Sequence, residues 1–482
     1  MIRVAAFVGS SILRVLGLAI LASGLVGVLY SETSIATSLI ILSSIYTILG
    51  YLGAKYLRPD KQLTITQGFA AVGLSWLSLT LAGIVPYLIS LPEMSFTDAL
   101  FETASGFSTT GSSVIINPSE LPKAIIFWRS ITQWVGGMGI IILTISVMPL
   151  LGSGGLNLAK AESPGPNPDR LTPLFKDTAV ILWGVYLVFT LAQTLLLFFS
   201  GLDIFSALNH SFTTLSTGGF STFDTSVSSL SNSTKLILCL FMFIAGTSFT
   251  LHYKSRRNLK EYLYSSEFKF FTFIVFFAAS IFYIFLNTSG KDSITSIIES
   301  LFTSLAIITT TGYSSSNFEL WPGGLKILIL GLMFVGGMSG STGGGIKVVR
   351  VVALLKTVRN ELKKLIFPKA IFKVRMSKSA MTEQSLESVQ TFFILYITVF
   401  GIGSVLLGLT SYFGGISLSI ETILSSVASA LNNIGPALDQ AGPFDTYFFF
   451  DNYSKILLAF IMLVGRLELF PIAILFNAKT WK

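Results

Sequence analysis

"ITTTGYSSS", residues 308–316, sets a run of hydroxyls around one glycine inside a chain that is 52% hydrophobic and only 12% charged. That charged fraction is about half the ~25% usual for soluble domains, so the chain reads as a membrane protein. Apolar stretches recur along all 482 residues, which favours one large membrane-embedded unit without a separate soluble domain. At membrane depth, non-helical backbone is tolerated only where protein buries it or where it lines a watery cavity. A hydroxyl-rich, glycine-containing run therefore marks such a place.

Segments able to cross a ~30 Å hydrocarbon core lie near residues 11–30, 35–57, 63–91, 123–151, 176–200, 234–253, 268–286, 324–360, 389–413 and 453–478. The first of these is expected to be a retained helix rather than a cleaved signal, because its apolar part is long and another follows at once. Four shorter segments, near 95–107, 203–215, 293–308 and 417–431, end in polar, glycine-containing runs and are expected to be re-entrant half-helices. Basic residues fix the orientation: Lys55, Arg58 and Lys61, then Lys160, Arg170 and Lys176, then Lys254, Arg256, Arg257 and Lys260, and a cluster from Lys347 to Lys378 share one side. That side is cytoplasmic. Much of the formal charge of +8 is topological in this sense.

The four endings "ASGFSTTGSS", "TTLSTGGFST", "AIITTTGYSS" and "SALNNIGPAL" align on Gly111, Gly219, Gly312 and Gly435. Each repeat then reads as span, half-helix, glycine run, span, and four such units can surround one axis. The expected fold is all-α and integral to the membrane: a hairpin at 1–60 and pore repeats at 61–170, 171–265, 266–380 and 381–482. Glycine adopts positive φ readily, which lets successive carbonyls face one side, and rings of carbonyls can replace an ion's water shell. The C-terminal ends of four half-helices directed at the axis favour a cation. Candidate filter residues are Thr109, Thr110, Gly111; Thr217, Gly218, Gly219; Thr310, Thr311, Gly312; and Asn433, Ile434, Gly435.

A second register follows each filter, at Gly137, Gly246, Gly337 and Gly465, with Arg466 after the last. An intramembrane arginine is costly and functional by default; the plainer alternative pairs it with Glu468. In the third repeat, "GGMSGSTGGGIK" (336–347) puts Gly336, Gly337, Gly340, Gly343, Gly344 and Gly345 into one span. So many glycines, at ~1 kcal/mol each relative to alanine, break the helix. The run lacks the GxxxxGK[ST] pattern and a preceding strand, so it is not read as a phosphate loop. Asp98 and Glu299 occupy equivalent half-helix positions and are expected to satisfy backbone or tune the outer mouth. Cys239 is a core residue, His210 and His252 lack metal-ligand companions, and no nucleophile–base–orienter set is present. Enzymatic chemistry is not expected.

The four endings, with "FWRSITQWVGGMGIIIL", "SALNHSFTTLSTGGFST", "GGMSGSTGGGIKVVRV" and "GRLELFPIAILF", resemble the TrkH-type potassium-uptake subunits of the Trk/Ktr/HKT superfamily, essentially end to end. The linker "AESPGPNPDRLTPLF" and the N-terminal hairpin resemble the Trk branch. The resemblance implies a bacterial inner-membrane homodimer with one pore per protomer and potassium as the permeant ion. It also implies a cytosolic TrkA-type ring binding NAD, ATP or ADP that regulates opening; nucleic acid is not an implied partner. By the same resemblance the 336–345 run is the intramembrane gate and Arg466 stands below the filter, raising the barrier to cations. In plant relatives a serine at the first filter glycine goes with sodium preference, so Gly111 implies potassium. The alternative is a potassium symporter coupled to protons or sodium, since broken helices mark that class too; against it, the filters hold no carboxylate or histidine relay.

Overall fold

The computed structural model describes residues 2–57, 65–139, 175–377 and 379–475. Lys378, Arg58, Lys61, Lys160 and Arg170, the 161–174 stretch of the linker and the repeat boundaries at 60/61 and 170/171 lie outside those residues. Two apolar helices, Ile2–Leu29 and Thr33–Tyr56, form the expected hairpin. Close packing between them is possible because Gly17 faces Ser43 and Thr47, and Ser43 Oγ donates to the Gly17 carbonyl at 2.7 Å. The connecting turn is put to use: the Glu32 carboxylate accepts from the N–H groups of Lys123 and Ala124, at 2.5 and 3.0 Å. It thereby caps a helix of the first repeat whose own N-cap position is Pro122.

Each repeat has a leading span, a half-helix and a trailing helix. The leading spans are Ile65–Gly83 continued by Val85–Ser90, then Phe175–Phe199, Ser266–Thr288 and Glu383–Phe413. The half-helices are Phe96–Phe107, Ile204–Leu215, Ser293–Ile308 and Ile420–Asn432. All four start on a side-chain cap: Ser95, Asp203, Asp292 and Ser419 accept from backbone N–H groups in the first turn. The half-helices are largely buried, whereas Phe199, Phe276, Leu195 and Ile394 stand exposed on the leading spans, the face that suits a lipid solvent.

Among the described residues six helices are long and apolar enough to cross a membrane, and Asn232–Gly246 with Phe249–Ser255 forms a further pair bent by 97°. Apart from the break expected at the third repeat's glycine run, the trailing segments depart from the expected continuous spans. The segment expected at 123–151 is helical over Lys123–Gly137, and residues 140–151 lie outside the described set. That at 234–253 breaks after Gly246. That at 324–360 splits into Gly323–Met333 and Val348–Ile366 around the glycine run. That at 453–478 stops at Arg466, where Glu468 and Leu469 take positive φ of 53° and 69°, and resumes at Phe470–Leu475. Hydropathy shows where chain is apolar; it does not register the loss of helix propensity at glycine or at left-handed residues.

Candidate ion pathway

The four glycine runs share a backbone conformation that the sequence shows only in part. Gly111, Gly219, Gly312 and Gly435 have φ of 86°, 75°, 74° and 113°. Two residues earlier, Thr109, Thr217, Thr310 and Asn433 also lie in the left-handed region, at 55°, 55°, 61° and 56°. Non-glycine residues seldom adopt it, so four at one register position form a repeated built feature. The glycines then interlock. A Cβ at Gly111 would lie 2.1 Å from the Gly218 carbonyl oxygen, one at Gly219 1.9 Å from that of Thr311, and one at Gly312 1.6 Å from that of Ile434. A Cβ at Gly435 would lie 2.8 Å from the Thr110 oxygen, which closes the circle. All four glycines line one outer cavity of about 90 Å³, together with Arg129 and Asp224.

Outside this ring runs a second one, of charge. The first turns of the trailing helices carry Lys123, Lys235, Lys326 and Lys455. Lys455 meets Asp98 at 2.6 Å and Lys326 meets Glu421 at 3.2 Å. Lys123 acts electrostatically on Asp203, and Lys235 with Glu299. Lys455 and Lys326 thus contact an acid on the next half-helix around the axis, Lys326 also holding Glu319 of its own repeat at 2.7 Å, and Lys123 and Lys235 lie within electrostatic reach of such an acid. In the sequence they are scattered lysines on the positive-poor side; their shared place at a helix start was the available signal. Asp98 thereby receives a cross-repeat partner, and Glu299 binds Lys291 at 2.6 Å.

Below the ring, the 336–347 run leaves the helix path and passes the C-terminal ends of the half-helices. The Gly344 N–H donates to Thr310 Oγ1 at 2.7 Å, and Thr342 Oγ1 donates to the Leu215 carbonyl at 2.9 Å. Met338 N–H bonds the Gly246 carbonyl at 2.9 Å, using the break in the second repeat's trailing helix. Arg466 joins this loop to the first repeat: its guanidinium donates to the carbonyls of Thr342 and Gly136, each at 2.8 Å, and of Gly137 at 3.3 Å. Glu468, the partner the sequence offered for it, is held by Arg350 at 2.5 Å. A cavity of about 80 Å³ lies here, lined among others by Trp76, Gly344, Lys347, Arg466 and Glu468.

The contacts also correct the lower glycine register. A Cβ at Gly136 would meet the Phe107 carbonyl oxygen at 1.9 Å and one at Gly465 would meet that of Leu431 at 2.0 Å. Phe107 and Leu431 both stand four residues before their filter-run glycine, so Gly465 is the counterpart of Gly136, and Arg466 takes the place of Gly137.

A family profile described as TrkH, cation transport protein, matches residues 34–482. This chain belongs to the TrkH family of cation transport proteins. The Trk system potassium uptake protein TrkH of Vibrio parahaemolyticus is 35% identical over 98% of this chain and 99% of its own length. Its namesake in Escherichia coli K12 is 34% identical, with 88% of each chain covered. A crystal structure of the potassium transporter TrkH from Vibrio parahaemolyticus superposes with a TM-score of 0.87 over the whole of both chains, at 32% identity. The chain is therefore an all-α, multi-pass inner-membrane transport protein of four pseudo-repeats, as the resemblance implied.

Sequence reading missed the buried polar groups Glu102, Arg129 and Gln133 beside the first two glycine runs of this TrkH-family fold, and it counted Lys347, which the loop buries, with the basic cluster of the cytoplasmic side. The rule that singled out Arg466, that ionisable residues at membrane depth are functional by default, applies equally to Glu102 and Arg129, both within apolar segments. Among the described residues no group of three or more His, Cys, Asp or Glu is arranged to hold a metal ion.

Proposed function

We propose that this protein is the potassium-conducting subunit of an uptake system, passing the ion inward down its electrochemical gradient. The observation that carries the reading is the closed circle of glycine-against-carbonyl contacts through Gly111, Gly219, Gly312 and Gly435. In it the carbonyls of Thr110, Gly218, Thr311 and Ile434, with the left-handed residues Thr109, Thr217, Thr310 and Asn433 beneath, supply oxygen ligands for a dehydrated cation. The half-helix C-termini add the favourable end of the dipole. Potassium is the ion named for relatives that cover nearly all of this chain.

The loop from Gly336 to Gly345 acts as the gate, and Arg466 latches it while placing a fixed positive charge under the filter. A guanidinium remains protonated at physiological pH. Regulation comes from a cytosolic ring of the TrkA type that binds NAD, ATP or ADP, and the working unit is a homodimer; both rest on the family resemblance. The protein carries no cofactor and performs no catalysis in this reading.

Reversal potentials in proteoliposomes under imposed potassium, sodium and proton gradients test it. A potential that follows the potassium gradient alone is expected. One that shifts with the proton or sodium gradient at fixed potassium would replace the channel with the coupled symporter.

A further inference from the structure

One charged pair is buried directly behind the proposed filter. Arg129 and Glu102 are 2% and 0% exposed, and Arg129 Nε lies 2.7 Å from Glu102 Oε1. Such a pair is costly to desolvate and is retained at little or no net gain in stability. Its contacts point to what it does. Glu102 accepts from Ser113 Oγ and from the Val114 N–H, each at 3.1 Å, both just past Gly111. The other end of the guanidinium donates to Ser113 Oγ at 3.1 Å and to the Ser221 carbonyl, just past Gly219, at 3.4 Å. Its plane also lies 4.2 Å from the ring centroid of Phe220.

One turn along the same helix, Gln133 continues the contact. Its Nε2 donates to the Gly218 carbonyl at 2.8 Å and its Oε1 accepts from the Phe220 N–H at 3.1 Å. The i, i+4 pair Arg129 and Gln133 therefore grips the second glycine run, while Glu102 grips the first. The other repeats use neutral groups nine residues before the glycine. His210 there lies 3.2 Å from Ser221 Oγ, and the third and fourth repeats have Thr303 and Ser426.

We infer that Arg129, oriented by Glu102, is a positioning residue that fixes the seam between the first and second filter runs, and that this seam sets ion selectivity. A planar fork holds two segments at once, which a lysine's single ammonium does not. Loss of the fork lets Gly111 and the Gly218 carbonyl separate, so the ring accommodates an ion of different size. The inference rests on the filter reading above.

The test measures potassium and sodium flux through purified, monodisperse full-length protein in proteoliposomes. Arg129→Lys should lower the potassium-to-sodium ratio by about tenfold, the factor that 1.4 kcal/mol represents, with potassium flux still measurable. Ser113→Ala, which removes the hydroxyl shared by both charges and leaves the pair itself, should lower the ratio in the same direction but by less. It serves as the deciding variant if Arg129→Lys does not fold. Gly312→Ser, on the far side of the ring, is the control for the filter. If Gly312→Ser lowers the ratio while the folded Arg129→Lys or Ser113→Ala protein keeps it, the positioning role is overturned and the filter stands. If all keep it, the filter assignment itself fails and takes this inference with it.

Discussion

The guanidinium of Arg466, at the end of the fourth repeat's trailing helix, donates to the carbonyl of Thr342 in the middle of the third repeat's glycine loop, 2.8 Å away. The same side chain continues to Gly136 in the first repeat. One residue therefore joins three repeats. The latch proposed for it adds to the charge barrier that the resemblance implied.

Arg466→Ala removes the latch and the charge together. A hydrogen bond to a charged group contributes ~1.5–3 kcal/mol, so potassium flux at a fixed driving force should rise by about tenfold. Arg466→Lys keeps the charge but not the fork and should fall between the two. Tracer uptake into vesicles measures both; equal flux for the alanine variant and the parent would remove Arg466 from gating.

Gly344 is the tightest point of the loop against the fourth repeat, since a Cβ there would lie 2.2 Å from the Asn432 carbonyl oxygen. Gly344→Ala should push the loop away from Thr310 and raise flux, and excision of residues 336–345 should do the same with weaker response to the regulatory partner. Magnitudes of several-fold are expected from steric displacement worth ~1–3 kcal/mol. A folded deletion variant that conducts no better would make the loop a passive break.

At the proposed filter, Gly111→Ser places a side chain 2.1 Å from the Gly218 oxygen at a φ of 86°. The left-handed backbone alone costs a side chain ~1–2 kcal/mol, and the overlap adds to it. The potassium-to-sodium flux ratio should drop by about tenfold. Gly331→Ala, at a helical site with nothing within 4 Å, should leave the ratio as it was. Loss of selectivity in both would point to general misfolding.

On the outer side, the Asp439 carboxylate accepts from Ser419 Oγ at 2.5 Å and Thr422 Oγ1 at 2.8 Å, around the start of the fourth half-helix. These hydrogen bonds, led by that of Ser419, hold its carboxyl below the usual value. A lowered carboxyl gives stability that is complete above the unfolded value of ~3.9 and lost as pH falls through the folded one. Asp439→Asn should therefore lower Tm by about 2 °C at neutral pH, and the gap should close on acidification below about pH 4. Thermal unfolding across a pH series checks this, and a gap that persists at low pH would assign the effect to shape rather than charge.

By itself the sequence determined the class and the repeat. Composition makes lipid the solvent, the basic residues orient the chain, and four short segments ending in Gly111, Gly219, Gly312 and Gly435 give the four units, because these signals are local. The glycine loop was equally legible, since helix propensity is a property of neighbouring residues. Tertiary structure decided the rest. The left-handed backbone of Thr109, Thr217 and Thr310 is imposed by packing on residues that do not prefer it, and Asn433, of a type that tolerates it, completes the register. Lys455 finds Asp98 across more than three hundred residues, Arg129 finds Ser221, and Arg466 reaches Thr342 rather than the Glu468 two residues away. Even the lower register moved by one residue, from Gly137 to Gly136 as the counterpart of Gly465. Spacing counts residues along a chain, whereas a buried polar group is satisfied by whatever donor or acceptor the closed ring brings within reach.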